Sequence, residues 1–236
     1  MPEILHYGGR SVRHIAMTGH DFTLAGARLT ARASGALWWQ DESLLVVADL
    51  HLGKAGRMAR QGGALLPPYD SDETLARLSA EIDILAPRCV ICLGDSFDDD
   101  EASRALPASA VRRLSALMAG RRWIWIAGNH DPAPVAPGGS ALAETRIGPL
   151  HFRHIAIPGE KNEISGHYHP KSRISLGGRR LARPCFLIDA ARAILPAFGA
   201  YTGGLTASDP TLDRLMGPEA LAVLTGQKAL AFPMRS

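Results

Sequence analysis

Short apolar runs, each ending in a cluster of polar residues, set the rhythm of this chain. Leu44 to Ala48 leads into Asp49-Leu50-His51, Cys89 to Leu93 into Gly94-Asp95, and Trp123 to Ala127 into Gly128-Asn129-His130-Asp131. A fourth run, around Glu163-Ile164-Ser165, leads into Gly166-His167-Tyr168-His169. Runs this short, apolar at consecutive positions, predict central strands of a sheet covered on both faces. Between the first two, Asp72 to Leu85 places apolar residues at 75, 78, 82 and 85 with acids near its start. Between the second and third, Ala108 to Ala119 repeats the spacing with Val111, Leu114 and Leu117. Both are helix signatures. Strand and helix in alternation predict parallel pairing in an α/β fold, whose functional loops leave the strand C-termini.

Before the first run, Phe22 to Leu29 and Gly35 to Trp39 predict one or two opening strands. Cys185 to Asp189 and Ala193 to Pro196 predict a hairpin, and Leu212 to Leu224 a last helix. Pro67-Pro68 and Pro132 to Gly139 read as loops, not linkers, and there is no internal repeat, so one domain over residues 1–236 is expected.

Composition narrows the class. With 236 residues, 46% of them hydrophobic and 21% charged, the chain can bury a substantial core, which excludes disorder. No stretch approaches the roughly 18 to 20 apolar residues of a membrane helix. Met1 to Arg13 lacks the basic stretch and apolar core of an export signal, so a cytoplasmic protein is expected. Cys89-Val90-Ile91-Cys92 has C-x-x-C spacing, but strand alternation sends the two thiols to opposite faces, predicting buried structural cysteines; Cys185 leaves the count odd. The net charge of +3 is too mild to indicate a nucleic-acid partner by itself, and the arginine excess is equally a matter of composition.

The polar clusters gather Asp49, His51, Asp95, Asn129, His167 and His169 directly behind strands. Carboxylate, imidazole and amide ligands together suit manganese, iron or zinc, and the lack of a well-placed thiolate argues against a closed structural zinc site. Asp49 and His51 flank one residue, so strand alternation would send both toward one ion. A glycine precedes Asp95, Asn129 and His167, where a residue without Cβ allows a tight turn.

In this order, Asp49-x-His51, Gly94-Asp95, Gly128-Asn129-His130-Asp131, a downstream histidine and Gly166-His167-x-His169 resemble the calcineurin-like metallophosphoesterase superfamily, over roughly Leu44 to Pro170. The resemblance implies an α/β fold, a four-layer αββα sandwich with a dinuclear metal site at the strand C-terminal edge. It assigns Asp49, His51 and His169 to a first ion, Asp95 as the bridge, and Asn129, a downstream histidine and His167 to a second. Candidates for that histidine are His151 and His154; the family's ligand falls at a strand end, which favours His154. His130 corresponds to the histidine that protonates the leaving oxygen, and Asp131 to the acid that orients it. Two divalent metal ions, Mn²⁺ first and Fe or Zn as alternatives, would activate a bridging hydroxide and clamp the phosphoryl oxygens.

Ala48 to Lys54, the loop Gly62 to Pro68, Ile164 to Pro170, and Leu195 to Gly199 followed by Thr202-Gly203-Gly204 look like a subgroup, the ligase-associated DNA-damage-response endonucleases. That implies a phosphodiesterase or nuclease acting on DNA in repair, with nucleic acid as substrate and ligase-associated repair proteins as partners; no membrane is involved, and a homo-oligomer stays open. The alternative is a small-molecule phosphoesterase for cyclic nucleotides or nucleotide polyphosphates. A metal-binding scaffold without turnover is disfavoured by the complete ligand set.

Of the remaining candidates, Asp98-Asp99-Asp100-Glu101 is expected as a solvated helix start. Lys54, Arg57 and Arg60 are expected either on flanking phosphates or on a solvated face, and Tyr168 in packing. His6, His14 and His20 are expected to be surface or satisfied core residues.

Overall fold

The computed structural model describes residues 19–62, 67, 69–132, 138–176 and 179–235. His6, His14, most of Gly62 to Pro68 and most of Pro132 to Gly139 lie outside them.

The first sheet holds β1 (Gly19–Leu24), β2 (Ala27–Arg32), β3 (Leu37–Trp39), β4 (Leu44–Val47), β5 (Cys89–Leu93), β6 (Arg122–Ile126) and β7 (Ser140–Leu142), neighbours in that order. The first four pair antiparallel; β4, β5 and β6 pair parallel, as the strand–helix alternation predicted, and β7 continues the parallel run. The second sheet is built from β8 (Glu144–Ile147), β9 (Leu150–Arg153), β10 (Glu163–Ser165), β11 (Lys171–Leu176), β12 (Arg179–Ile188), β13 (Arg192–Ile194), β14 (Leu221–Leu224) and β15 (Leu230–Pro233). Its order is β15-β14-β12-β13-β10-β9-β8, with β11 paired to β12 alone, and β9, β10 and β13 run parallel.

Consecutive apolar positions in β4 and β5 serve two different cores. Leu44, Val46, Ile91 and Leu93 meet Phe152, Ile164 and Phe186 of the other sheet, while Leu45, Val47, Val90 and Cys92 meet the helical layer. That layer is α2 (Asp70–Leu85) and α4 (Ala108–Met118), packing Leu75, Leu78, Ile82, Leu114 and Leu117. On the far side, α5 (Pro210–Leu215) packs Leu212 against Cys185, Leu187 and Leu224. Helix, sheet, sheet and helix therefore form the four expected layers. Cys89 and Cys92 enter different cores on opposite faces, and all three thiols are buried and unbridged.

Several local expectations change. The opening segment forms three strands, because Ala25 and Gly26, both at positive φ, close a two-residue hairpin turn. The predicted helix over Leu212 to Leu224 stops at Leu215; Gly217-Pro218 cannot continue it, and Leu221 to Leu224 pairs with β12 instead. The turn between β12 and β13 lacks a glycine because the Asp189 carboxylate accepts from the N–H groups of Ala191 and Arg192. None of the helices among the described residues is long and apolar enough to cross a membrane.

Candidate metal centre

The loops after β4, β5, β6, β9 and β10 meet at one edge of the sandwich. Parallel pairing carries past the strand ends, since the Asp49 N–H reaches the Gly94 carbonyl at 3.2 Å and the His51 N–H the Asp95 carbonyl at 2.9 Å. From the opposite sheet, Gly166 N–H donates to His154 O at 3.0 Å, and the Gly199 N–H to Asp49 O at 3.0 Å.

Asp49, His51, Asp95, His167 and His169 all lie in the left-handed region, with φ between 45° and 73°. Such a backbone costs a non-glycine residue on the order of 1 kcal/mol or more and persists where the surroundings over-determine it. Asp49 and His51 therefore converge by a different route from the expected strand alternation, and the pair His167/His169 is built in the same way. In each, two left-handed residues flank one that turns into a core, Leu50 toward the helices and Tyr168 toward the far core. The glycines act mainly by omission: a Cβ on Gly94 would stand 2.4 Å from His154 Nδ1, and one on Gly128 would stand 2.2 Å from Asp95 Oδ1.

Two groups of donor atoms result, each mutually within 4.8 Å: Asp49, His51 and His169, and Asp95, His154 and His167. In the first, His51 Nε2 faces His169 Nε2 at 3.3 Å, and His169 Nε2 lies 3.4 Å from Asp49 Oδ1. His51 Nδ1 sits 2.7 Å from Asp98 Oδ1; a carboxylate only accepts, so a neutral ring carries its proton there and turns a lone pair on Nε2 toward its neighbours. In the second, His154 Nδ1 donates to the Leu93 carbonyl at 2.8 Å, which leaves Nε2 as a lone pair. Around it stand Asn129 Oδ1 at 2.9 Å, His167 Nδ1 at 3.2 Å and Asp95 Oδ2 at 3.4 Å. Asp49 and Asp95 are buried, and neither has a lysine or arginine partner among the described residues. Buried carboxylates facing lone pairs are an unfavourable arrangement that a divalent cation in each group would resolve.

Burial raises the Asp95 carboxyl, but His154 beside it, when its ring is protonated, and the His130 N–H outweigh that and hold the group well below the usual carboxylate range. Burial and the neighbouring His154 lower His167. A metal site needs both directions, an anionic carboxylate and a neutral imidazole. His154 goes the other way: burial works downward, but Asp95 and Asp49 raise it.

His154 enters this cluster and His151 does not, although both belong to Leu150-His151-Phe152-Arg153-His154. His151 points off the outer face of β9 toward Glu144, 3.1 Å away, and His154 is the first residue past the strand. His130 is half-buried; its N–H donates to Asp95 Oδ1 at 2.9 Å and its Nδ1 to the Asp98 carbonyl at 3.0 Å.

Two expectations are corrected here. Asp131 does not orient His130: its Oδ2 accepts from Ser96 and Phe97 N–H at 2.8 and 3.1 Å and so shapes the loop that carries Asp95. Burial, helped by the Asp95 charge, pushes that carboxyl up to about 7. Asp98 is no solvated acid; it is fully buried and contacts His51, Lys54 at 3.6 Å and Arg57 at 2.6 Å. Asp99 and Glu101 behave as expected, Asp99 capping α3 (Asp100–Arg104) through the Ala102 N–H and Glu101 standing exposed in its first turn. The clue to Asp98 was chemical: a histidine offered as a metal ligand needs an acceptor for its other nitrogen. Lys54, Arg57 and Arg60 are all committed to carboxylates, Arg60 to Asp99 and Glu101. Tyr168 packs as expected against the far core.

A family model described as Calcineurin-like phosphoesterase matches residues 43–183. Among solved structures, a nuclease from Pseudomonas putida, MPE, superposes with a TM-score of 0.71 at 27% identity, covering 91% of this chain and 100% of its own. Yfce, a phosphoesterase from E. coli, is matched at 14% identity and a TM-score of 0.40, covering 81% of this chain and 99% of its own. No curated protein is a significant match.

Proposed function

This chain belongs to the calcineurin-like phosphoesterase family and is a metal-dependent phosphoesterase; from that premise we propose that it cleaves phosphodiester bonds in nucleic acid, as a DNA endonuclease of a repair process. The observation that carries the reading is the double convergence of lone pairs and buried carboxylates at one edge. The likeness to a nuclease over nearly the whole chain supports the polymeric substrate.

In this reading Asp49, His51 and His169 hold one divalent ion and Asn129, His154 and His167 a second, with Asp95 shared; manganese is the first choice. Divalent ions held there would supply Lewis acidity, lowering the pKa of a water and neutralising charge on the phosphoryl oxygens. The chain's own residues do the rest. Asp98 fixes the His51 tautomer, and the Leu93 carbonyl fixes that of His154, so both present Nε2. His130 is pinned through Nδ1 to the Asp98 carbonyl, which leaves Nε2 to hold a proton for the departing oxygen. Asp131 holds the Ser96-Phe97 turn and thereby the distance between Asp95 and Asp98.

The test loads chelator-stripped protein with Mn²⁺, Fe²⁺ or Zn²⁺ and compares a circular single-stranded DNA, an artificial phosphodiester and a phosphomonoester. Cleavage of the circle and the diester, with the monoester slow, is the expected result. An intact circle beside fast turnover of small nucleotides would overturn the nuclease reading.

A further inference from the structure

β11 and β12 leave the second sheet as a two-stranded ribbon, paired in register from Lys171 opposite Pro184 to Leu176 opposite Arg179. The ribbon starts two residues after His169, so it departs directly from the candidate metal edge. Residues 171–184 contain Lys171, Arg173, Arg179, Arg180 and Arg183 and no acid. This +5 exceeds the +3 of the whole chain and leaves −2 for everything else. Arg173 and Arg183 are exposed and have no carboxylate partner among the described residues, whereas the basic side chains of α1 (Lys54–Arg60) are spent on Asp98, Asp99 and Glu101. Lys171 donates to the Thr202 carbonyl at 2.8 Å, which ties its charge to the loop beside the site.

At the foot of the ribbon, a concavity of about 310 Å³ is lined by Ser172, Arg173, Thr206, Ser208 and Phe232. Phe232 is 42% exposed, large for a phenylalanine, and it stands beside a guanidinium and three hydroxyls. Unpaired cations on both strands of an exposed ribbon, Arg173 on one face and Arg183, opposite Ser172, on the other, suit the phosphates of a strand laid across it, and an exposed aromatic ring beside an arginine suits an unstacked base.

We propose that the β11–β12 ribbon is the arm that grips the substrate strand outside the metal edge: Lys171, Arg173 and Arg183 hold its phosphates, and Phe232 receives one of its bases. The inference rests on the nucleic-acid reading above and adds to it the surface that selects a polymer over a small ester. Neither Arg173 nor Phe232 belongs to the metal cluster, so their loss is expected to spare turnover of a small phosphodiester.

The experiment measures binding of a labelled single-stranded oligonucleotide to the full chain by fluorescence anisotropy in chelator, at several salt concentrations, and cleavage of the same strand with Mn²⁺. Arg173→Glu with Arg183→Glu is expected to weaken binding more than tenfold and raise KM for the strand. The small diester should be hydrolysed at the wild-type rate. The neutral pair Arg173→Gln with Arg183→Gln is expected to flatten the slope of log affinity against log salt by about 0.7 for each phosphate that the protein no longer neutralises. Phe232→Ala should weaken binding about fivefold or more with the salt slope unchanged. Unchanged affinity and slope in both arginine pairs would overturn the proposal, as would an equal loss of small-diester turnover. A protein that grips the strand through the ribbon yet cleaves nothing when loaded would overturn the proposed activity and leave the ribbon standing.

Discussion

On the outer face of β9 and β10, Glu163 is enclosed by Arg192 at 2.6 Å and Arg153 at 3.5 Å, and Arg192 also donates to the Ile157 and Glu160 carbonyls. One residue past β9 and two past β10, His154 and His167 turn lone pairs toward Asp95 and one another. Both networks are buried and share two strands, yet one closes on itself and the other does not. In the first, each charge has its opposite within the chain, so it can only hold the 155–160 loop against the sheet. In the second, carboxylates, imidazole nitrogens and an amide oxygen gather with no lysine or arginine among the described residues, an arrangement that cations from outside would resolve. Burial of polar groups alone therefore does not mark a site; the missing counter-charge does.

The largest expected effect falls on the open network. Asp95→Ala should lose metal from both positions and with it all metal-dependent turnover; full occupancy by elemental analysis would remove Asp95 as the shared ligand. In the wild type, Mn²⁺ at about 100 times its Kd should add roughly 2.7 kcal/mol to stability, and this gain should vanish in the variant. His130→Ala comes next: metal content unchanged, turnover of a diester with a poor leaving group down about 10²- to 10⁴-fold, and much less with a good one. Equal losses for both leaving groups would take His130 out of proton transfer. Asp98→Asn should weaken metal affinity by about 10- to 100-fold while excess metal restores most of the rate, since Asp98 acts through His51. The closed network should respond in the opposite sense. Glu163→Gln takes the carboxylate from buried Arg192, while Arg153 keeps Glu144 at 3.1 Å, and is expected to cost about 3 kcal/mol in a denaturant titration, with turnover per folded molecule unchanged. A fall in turnover there would mean that the two networks are coupled through His154.

Much of this was legible in the residues themselves. Leu44 to Val47 and Cys89 to Leu93 are apolar at every position because each strand feeds two cores, and that pattern is local. The polar clusters behind the strands needed no tertiary information to be found, since a chain leaving a covered strand brings its next residues to one sheet edge. The mechanism of convergence was another matter. The left-handed residues flanking Leu50 and Tyr168 are held by contacts from loops distant in sequence, such as Gly94 O on Asp49 N–H and Asp49 Oδ2 on His167 N–H.

By itself the sequence determined the alternation of strands and helices, the opposed burial of Cys89 and Cys92, and most of the polar side chains that gather at one sheet edge, because these follow from period and residue type. Only the tertiary structure decided between His151 and His154, drew Asp98 inward beside His51, gave Asp131 to the Ser96-Phe97 turn, and made a strand of Leu221 to Leu224. It also decided which basic residues are spent on carboxylates and left Arg173 and Arg183 of the β11–β12 ribbon without one among the described residues. Each of these depends on a partner far along the chain, and the free energy of a charge or a lone pair is set by what stands opposite it, which no local pattern contains.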